Sequence, residues 1–390
     1  MIPLKYNVRN MRVRWVNTLM TVLGTALVVW SSCILFGLVD GLQHSLTISG
    51  DPLDLVVLRK GATNETSSGF DKSKADDLAT LGGIARDEAG KPLVASELLN
   101  IPIAERLDGS RTNIIVRGVS PASPKLRPAF TILPGGRDFQ PGKAECIVSR
   151  NLSRRFKGAT IGDTLQVGEG KNDSFRVVGL FTAGGSDAES EVWVDIRDLE
   201  RTVAREGSVS CVQLRAASAA DLQTIKKTIE TQTQFLLRAV PEAQYFADQS
   251  SSSIFLKGAG TLIAVFLTFG AMFASANTMF AAVSTRTREI GTMRALGFTQ
   301  FDILISFLGE SILLCALGGA LGLLATIPLS ALTFGTSDFN SFAEKTISFR
   351  FGPLVISVAL IMTFAMGIFG GLFPALRAVR LDVITALREL

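Results

Sequence analysis

Four stretches of this chain are long and apolar enough to cross a bilayer as helices, and that constrains its fold more than any other feature. A helix rises 1.5 Å per residue and the hydrocarbon core is about 30 Å thick, so a crossing takes roughly 20 apolar residues. Residues 15–39, 254–283, 302–334 and 351–376 each satisfy this. The 47% hydrophobic content of the 390-residue chain is therefore concentrated in these stretches. From residue 40 to 253 charged and turn-forming residues return, and short apolar runs alternate with helix-compatible ones, as in an α/β domain.

The basic residues sort by membrane side. Lys5, Arg9, Arg12 and Arg14 precede the first stretch, Arg286, Arg288 and Arg294 lie between the second and third, and Arg377, Arg380 and Arg388 follow the fourth. Short segments rich in Lys and Arg stay in the cytoplasm. This places segment 1–14, the loop 284–301 and the tail 377–390 inside, with residues 40–253 and the short loop 335–350 outside. The net charge of +4 is thus explained by topology, and no nucleic-acid partner is expected. Segment 1–14 reads as an amphipathic stretch on membrane lipids, with Trp15 at the headgroup belt.

Within the outer region, Asp108-Gly109 between two strand-like runs signals a hairpin, because glycine tolerates the positive φ of such turns. A long helix is expected over residues 219–237, returning the chain to the membrane. Cys146 and Cys211 fall in this region, and a bridge between them stays open, since sequence does not bring two backbones together.

The loop after the second stretch carries the most specific pattern. Thr285 to Gly297 reads TRTREIGTMRALG, and this resembles the coupling loop of ATP-binding-cassette permeases of the macrolide-exporter and lipoprotein-releasing type, the mechanotransmission (type VII) family. The opening RNMRVRWVNTLMTVLGTALVV, the segments AECIVSRNLSRRF and FRVVGLF, and the ending PALRAVRLDVITALREL are similar to the same family. The resemblance implies four transmembrane helices plus a large extracytoplasmic α/β domain of two subdomains, porter-like with a smaller one inserted over roughly 120–206. It implies a second permease protomer and a cytoplasmic ATPase dimer that binds ATP and Mg, with a periplasmic adaptor and an outer-membrane duct left open. Carried onto this chain, Arg286, Arg288, Glu289, Ile290, Gly291, Met293, Arg294, Leu296 and Gly297 would meet the ATPase. Arg288, Glu289 and Arg294 would supply charged contacts, and Ile290, Met293 and Leu296 apolar ones.

Inside the membrane stretches, Glu310 and Asn277 are the polar residues to explain. A carboxylate at mid-span costs roughly 2.5 to 3.5 kcal/mol, which the surrounding Leu, Ile and Phe offset. Glu310 reads as a hydrogen-bonded anchor in preference to a proton relay, because the spans offer no second acid or histidine; Glu310→Gln is then expected to leave nucleotide-driven activity largely intact. Gly318 with Gly322, and Gly367 with Gly371, form two GxxxG patterns that allow close helix approach. Pro374 is expected to kink or break the fourth helix at its exit.

Lys91, Lys143 and Lys171 each follow a glycine, but none has the P-loop context, so no cofactor is expected in this chain and it is not expected to be an enzyme. His44 is the single histidine, too little for a hydrolase triad. The expected role is a permease subunit passing ATP-driven motion from a separate ATPase to the outer domain for export. The alternatives are a signalling subunit that regulates an extracytoplasmic partner such as a cell-wall hydrolase, and a membrane-anchored binding module without an ATPase.

Overall fold

The computed structural model describes residues 15–127, 129–167, 170, 173–232, 234–249, 251–337 and 343–380. The amphipathic segment 1–14 and the tail from residue 381 lie outside them. The chain divides into two compact units: residues 1–41, 253–332 and 348–390 form one, and residues 42–252 with 333–347 form the other.

The first unit is built from long helices at Trp15–Ser49, Ser251–Ser284, Gln300–Leu324 and Pro353–Val379. Each contains a window apolar enough to cross a membrane. Several bounds differ from those read in the sequence. The third helix stops at Leu324 instead of continuing to 334, because Pro328 has no N–H to give, and the chain turns through a 3₁₀ segment at Ile327–Ala331. The fourth helix runs through Pro374, which is buried, to Val379; the expected break is absent. Neighbouring helices make such a proline tolerable in a span.

The glycine pairs mark where these helices touch. A Cβ on Gly318 would lie 2.7 Å from the Val22 carbonyl, and one on Gly322 2.7 Å from that of Ala26, so this pair seats the first helix on the third. A Cβ on Gly367 would lie 2.9 Å from Ile312 Cα, and one on Gly371 2.5 Å from Ser311 Cβ, which seats the fourth helix on the third. Without a hydrophobic drive between helices in lipid, such close backbone approach supplies the association. Buried Thr363 bonds back to the Ala359 carbonyl at 2.7 Å, which leaves no orphaned hydroxyl there.

The second unit is organised on a ten-stranded mixed sheet. In spatial order the strands are Leu237–Pro241, Asp54–Arg59, Cys211–Arg215, Val94–Asn100, Ile115–Val119, Glu191–Asp195, Glu145–Ser149, Ser174–Thr182 and Thr131–Ile132, with Thr164–Gln166 also paired to Ser174–Thr182. Most neighbours are antiparallel. Ile115–Val119 with Glu191–Asp195, and Glu145–Ser149 with Ser174–Thr182, are parallel. Alternation along a strand sends Leu55 and Val57 to one face and Val56 and Leu58 to the other, and both faces are buried.

The strands nearest the two ends of the domain occupy one end of the sheet, and those from 131–195 the other. They join where Leu98 pairs with Gly118. The hairpin at Asp108-Gly109 is present, with Glu105 opposite Arg111 and Gly109 at φ +85°. The helix expected over 219–237 ends at Thr231, and Leu237–Pro241 is an edge strand beside Asp54–Arg59. The 3.6-residue spacing of Leu222, Ile225 and Ile229 gives way there to alternation at Leu237 and Ala239. Cys146 and Cys211 are free thiols buried in separate strands.

Candidate coupling site

Sequence decides the shape of the loop between the second and third long helices. The short helix Thr287–Ala295 has Glu289 in its first turn and Arg294 in its last, complementing the helix dipole at both ends. It stops in a Schellman arrangement: Phe298 N–H donates to the Met293 carbonyl at 3.2 Å, and Gly297 N–H to that of Arg294 at 3.1 Å, with Gly297 at φ +97°. Two residues on, Thr299 and Asp302 form a capping box that starts the third long helix. One glycine and one threonine thus set the helix-turn-helix.

The helix is amphipathic, and this sorts the residues read as contacts for a partner. Arg288, Glu289, Leu296 and Gly297 are exposed, Leu296 to 75%. Met293 and Arg294 are half-buried. Arg286, Ile290 and Gly291 are buried within this chain. Positions 286, 290 and 293 follow one helical stripe, which packs against the unit's own helices in a cluster with Met279, Val283, Ile303, Phe307, Ala375 and Ala378. Ile290 packs the short helix against the bundle.

Arg286 stands at the N-cap of the short helix, and its guanidinium is committed to Glu310. Nη1 donates to Oε2 at 2.9 Å and Nη2 to Oε1 at 3.1 Å, a bidentate pair with each residue 5% exposed. The guanidinium also lies over the Phe307 ring, 5.9 Å from its centroid. Beside the pair is a cavity of about 30 Å³ lined by Thr21, Ser275, Thr278, Ser311 and the pair itself. Ser311 Oγ has no hydrogen-bond partner among the described residues, and the cavity has room for water on the scale that a buried site requires. Asn277 is exposed on the second helix. The sequence treated Arg286 and Glu310 separately. An ionised residue inside a span ordinarily has a partner, and an arginine just past the neighbouring span was the available signal.

The α/β unit holds a second buried charge cluster that sequence reading did not single out. Arg117 meets Glu65 at 2.9 Å, Glu97 at 2.6 Å and Glu191 at 2.6 Å. Arg127 meets Glu97 at 2.8 Å and covers Trp193, 5.0 Å from the ring centroid. Burial pushes the Glu97 carboxyl up, but Arg127 and Arg117 outweigh it and hold it at about 2. Burial raises the Cys211 thiol well above its ordinary value, which makes it inert. Glu65, Glu97 and Cys211 come close enough to share an ion, but Arg117 already supplies the carboxylates' positive partner. The cluster ties neighbouring strands and covering loops together.

Residues 18–232 match the family described as MacB-like periplasmic core domain, and residues 261–383 the one described as FtsX-like permease C-terminal. The chain is similar to the macrolide export ATP-binding/permease protein MacB of Rhodospirillum rubrum, 25% identical over 410 residues and covering 98% of this chain and 60% of that protein. It is 39% identical over 114 residues to MacB 1 of Aeromonas hydrophila subsp. hydrophila, which covers 29% of this chain and 16% of that one. The chain therefore spans about 60% of the length of the Rhodospirillum relative. Among solved structures it is similar to the extracellular domain of the noncanonic ABC-type transporter YknZ from Gram-positive bacteria, at 16% identity and TM-score 0.37, covering 48% of this chain and 99% of that one. It is also similar to the periplasmic region of MacB from Actinobacillus actinomycetemcomitans, at 9% identity and TM-score 0.38, covering 52% and 95%.

Proposed function

The chain belongs to the MacB-like, FtsX-like family of ABC transporter permeases and is a multi-pass membrane protein, and from that premise we propose that it is the permease subunit that carries ATP-driven motion from a separate cytoplasmic ATPase to its α/β domain, driving export from the outer face of the inner membrane. Both termini and the 284–301 loop then lie in the cytoplasm, in line with their arginines. Two protomers and an ATPase dimer make the working unit.

The observation that carries this reading is the short helix Thr287–Ala295, set between two long apolar helices with its charged face outward and its root fixed by the buried Arg286–Glu310 pair. A force applied at Arg288, Glu289 and Leu296 reaches the third helix through Arg286, without slack from an exposed side chain. In this role Arg286 and Ile290 hold the handle, and Arg288, Glu289, Arg294 and Leu296 are what the ATPase grips.

The test is reversal of Glu289 and Arg294 together in the full chain, followed by copurification with the ATPase and measurement of ATP hydrolysis and of cargo turnover in vesicles. Loss of ATPase stimulation with the fold intact is expected. Unchanged assembly and stimulation overturn the coupling role, and stimulated hydrolysis without turnover of any cargo would favour signalling to an outer partner.

A further inference from the structure

The segment between the third and fourth long helices was expected to be a short outer loop, yet residues 333–347 belong to the α/β unit. Strands Thr333–Ser337 and Glu344–Ser348 pair with each other, and Ala343 bridges to Asn113 in parallel. Ala343 is 0% exposed, in the apolar cluster that includes Leu99 and Ile115.

Glu344 is also 0% exposed. Its carboxylate accepts from Arg106 Nε at 2.8 Å and pairs with Arg155. The two arginines come from different parts of the domain. Arg106 follows the strand Ile103–Glu105, and Arg155 follows the short helix Arg150–Ser153. They are held side by side, since Leu107 N–H donates to the Arg155 carbonyl at 2.9 Å and Arg106 bridges to Phe156. Burial pushes the Arg155 guanidinium down, and the charge of Arg106 adds to this. The crowded pair of cations is thus a socket for one carboxylate. Gly335, on the opposite strand of the hairpin, leaves room for it, because a Cβ there would run into both Arg155 and Glu344.

We propose that Glu344 is a positioning residue that plugs the Arg106–Arg155 socket and ties the connection between the third and fourth long helices to the α/β domain. The domain would then receive motion from all four helices, and not only from the first two, which enter and leave it directly. This rests on the transmission role proposed above. A surface loop has no use for a fully buried carboxylate. Removing the charge leaves two guanidiniums facing each other with no anion, so the docked state of the hairpin is what the substitution weakens.

The experiment uses the full chain with its ATPase, in the variant pair Asn113→Cys with Ala343→Cys, whose bridged backbones are close enough for a disulfide. Glu344→Gln is expected to lower the cross-linking yield by severalfold and ATP-driven turnover by about tenfold, while ATPase binding stays the same. Oxidising the cysteine pair in the Glu344→Gln background is expected to restore turnover, which a residue needed only for folding would not allow. Arg106→Gln, which leaves Arg155 in place, should give an intermediate loss. Undiminished cross-linking in Glu344→Gln overturns the tie, and lost cross-linking with full turnover overturns its part in transmission. A parent protein with no ATP-dependent output instead overturns the functional reading, and the cross-linking yields still decide the tie.

Discussion

The Arg286–Glu310 pair gives the sharpest test of how the membrane unit is held together. Its guanidinium and carboxylate meet at 2.9 and 3.1 Å with each residue 5% exposed. Two unit charges about 4 Å apart at an effective dielectric constant near 20 attract by about 4 kcal/mol. Removing one partner of such a pair costs about 3 to 5 kcal/mol, because the other charge stays buried without compensation. The polar cavity beside Arg286 eases that cost, so Glu310→Gln is expected near the lower end, about 3 kcal/mol, or over a hundredfold in the unfolding equilibrium. Arg286→Met combined with Glu310→Leu leaves no stranded charge and should recover to within about 1 kcal/mol of the parent. Unfolding in mixed micelles, followed by protease sensitivity, measures all three proteins. A cost below about 1 kcal/mol for the single change, or a double variant as damaged as the single one, would refute the argument.

Burial pushes the Glu242 carboxyl up to about 8, and the Asp51 N–H at 3.0 Å only partly offsets this. The folded chain therefore holds a proton that the unfolded chain releases near 4.5, and the domain should lose up to about 1.4 kcal/mol per pH unit between about 4.5 and 8. Glu242→Gln should flatten that slope in pulse proteolysis; an unchanged slope assigns the proton elsewhere. Gly371→Leu should destabilise the membrane unit by about 1 to 3 kcal/mol, since even a Cβ meets Ser311 at 2.5 Å, and a wild-type midpoint in detergent unfolding would contradict that packing. All four cysteines are buried, so the native protein should resist maleimide and take up label on denaturation; rapid native labelling would count against the burial of these thiols.

Much of the membrane unit was legible in the sequence, because crossing helices are specified locally by a run of apolar residues. The stop at Gly297 and the restart at Thr299 are equally local, since one needs a positive φ and the other a short oxygen side chain at the cap. The ends of elements were less legible. Residues 325–334 are as apolar as the helix before them, and only Pro328 and the strand partner of Thr333–Ser337 end the helix where they do.

The partners of buried charges were the least legible feature. Arg286 read as one of three similar cations in a basic loop, and only the folded bundle brings it to a carboxylate 24 positions away. Arg117 and Arg127 collect Glu65, Glu97 and Glu191 from separate strands and loops, and Glu344 finds Arg106 more than two hundred positions back. Sequence alone determined which segments enter lipid, which side their flanking charges prefer and where the short helix begins and ends, because hydrophobic transfer and backbone capping act over a few neighbouring residues. The tertiary structure decided which charge answers which, because a desolvated ion is stabilised only by whatever the fold places within about 3 Å of it.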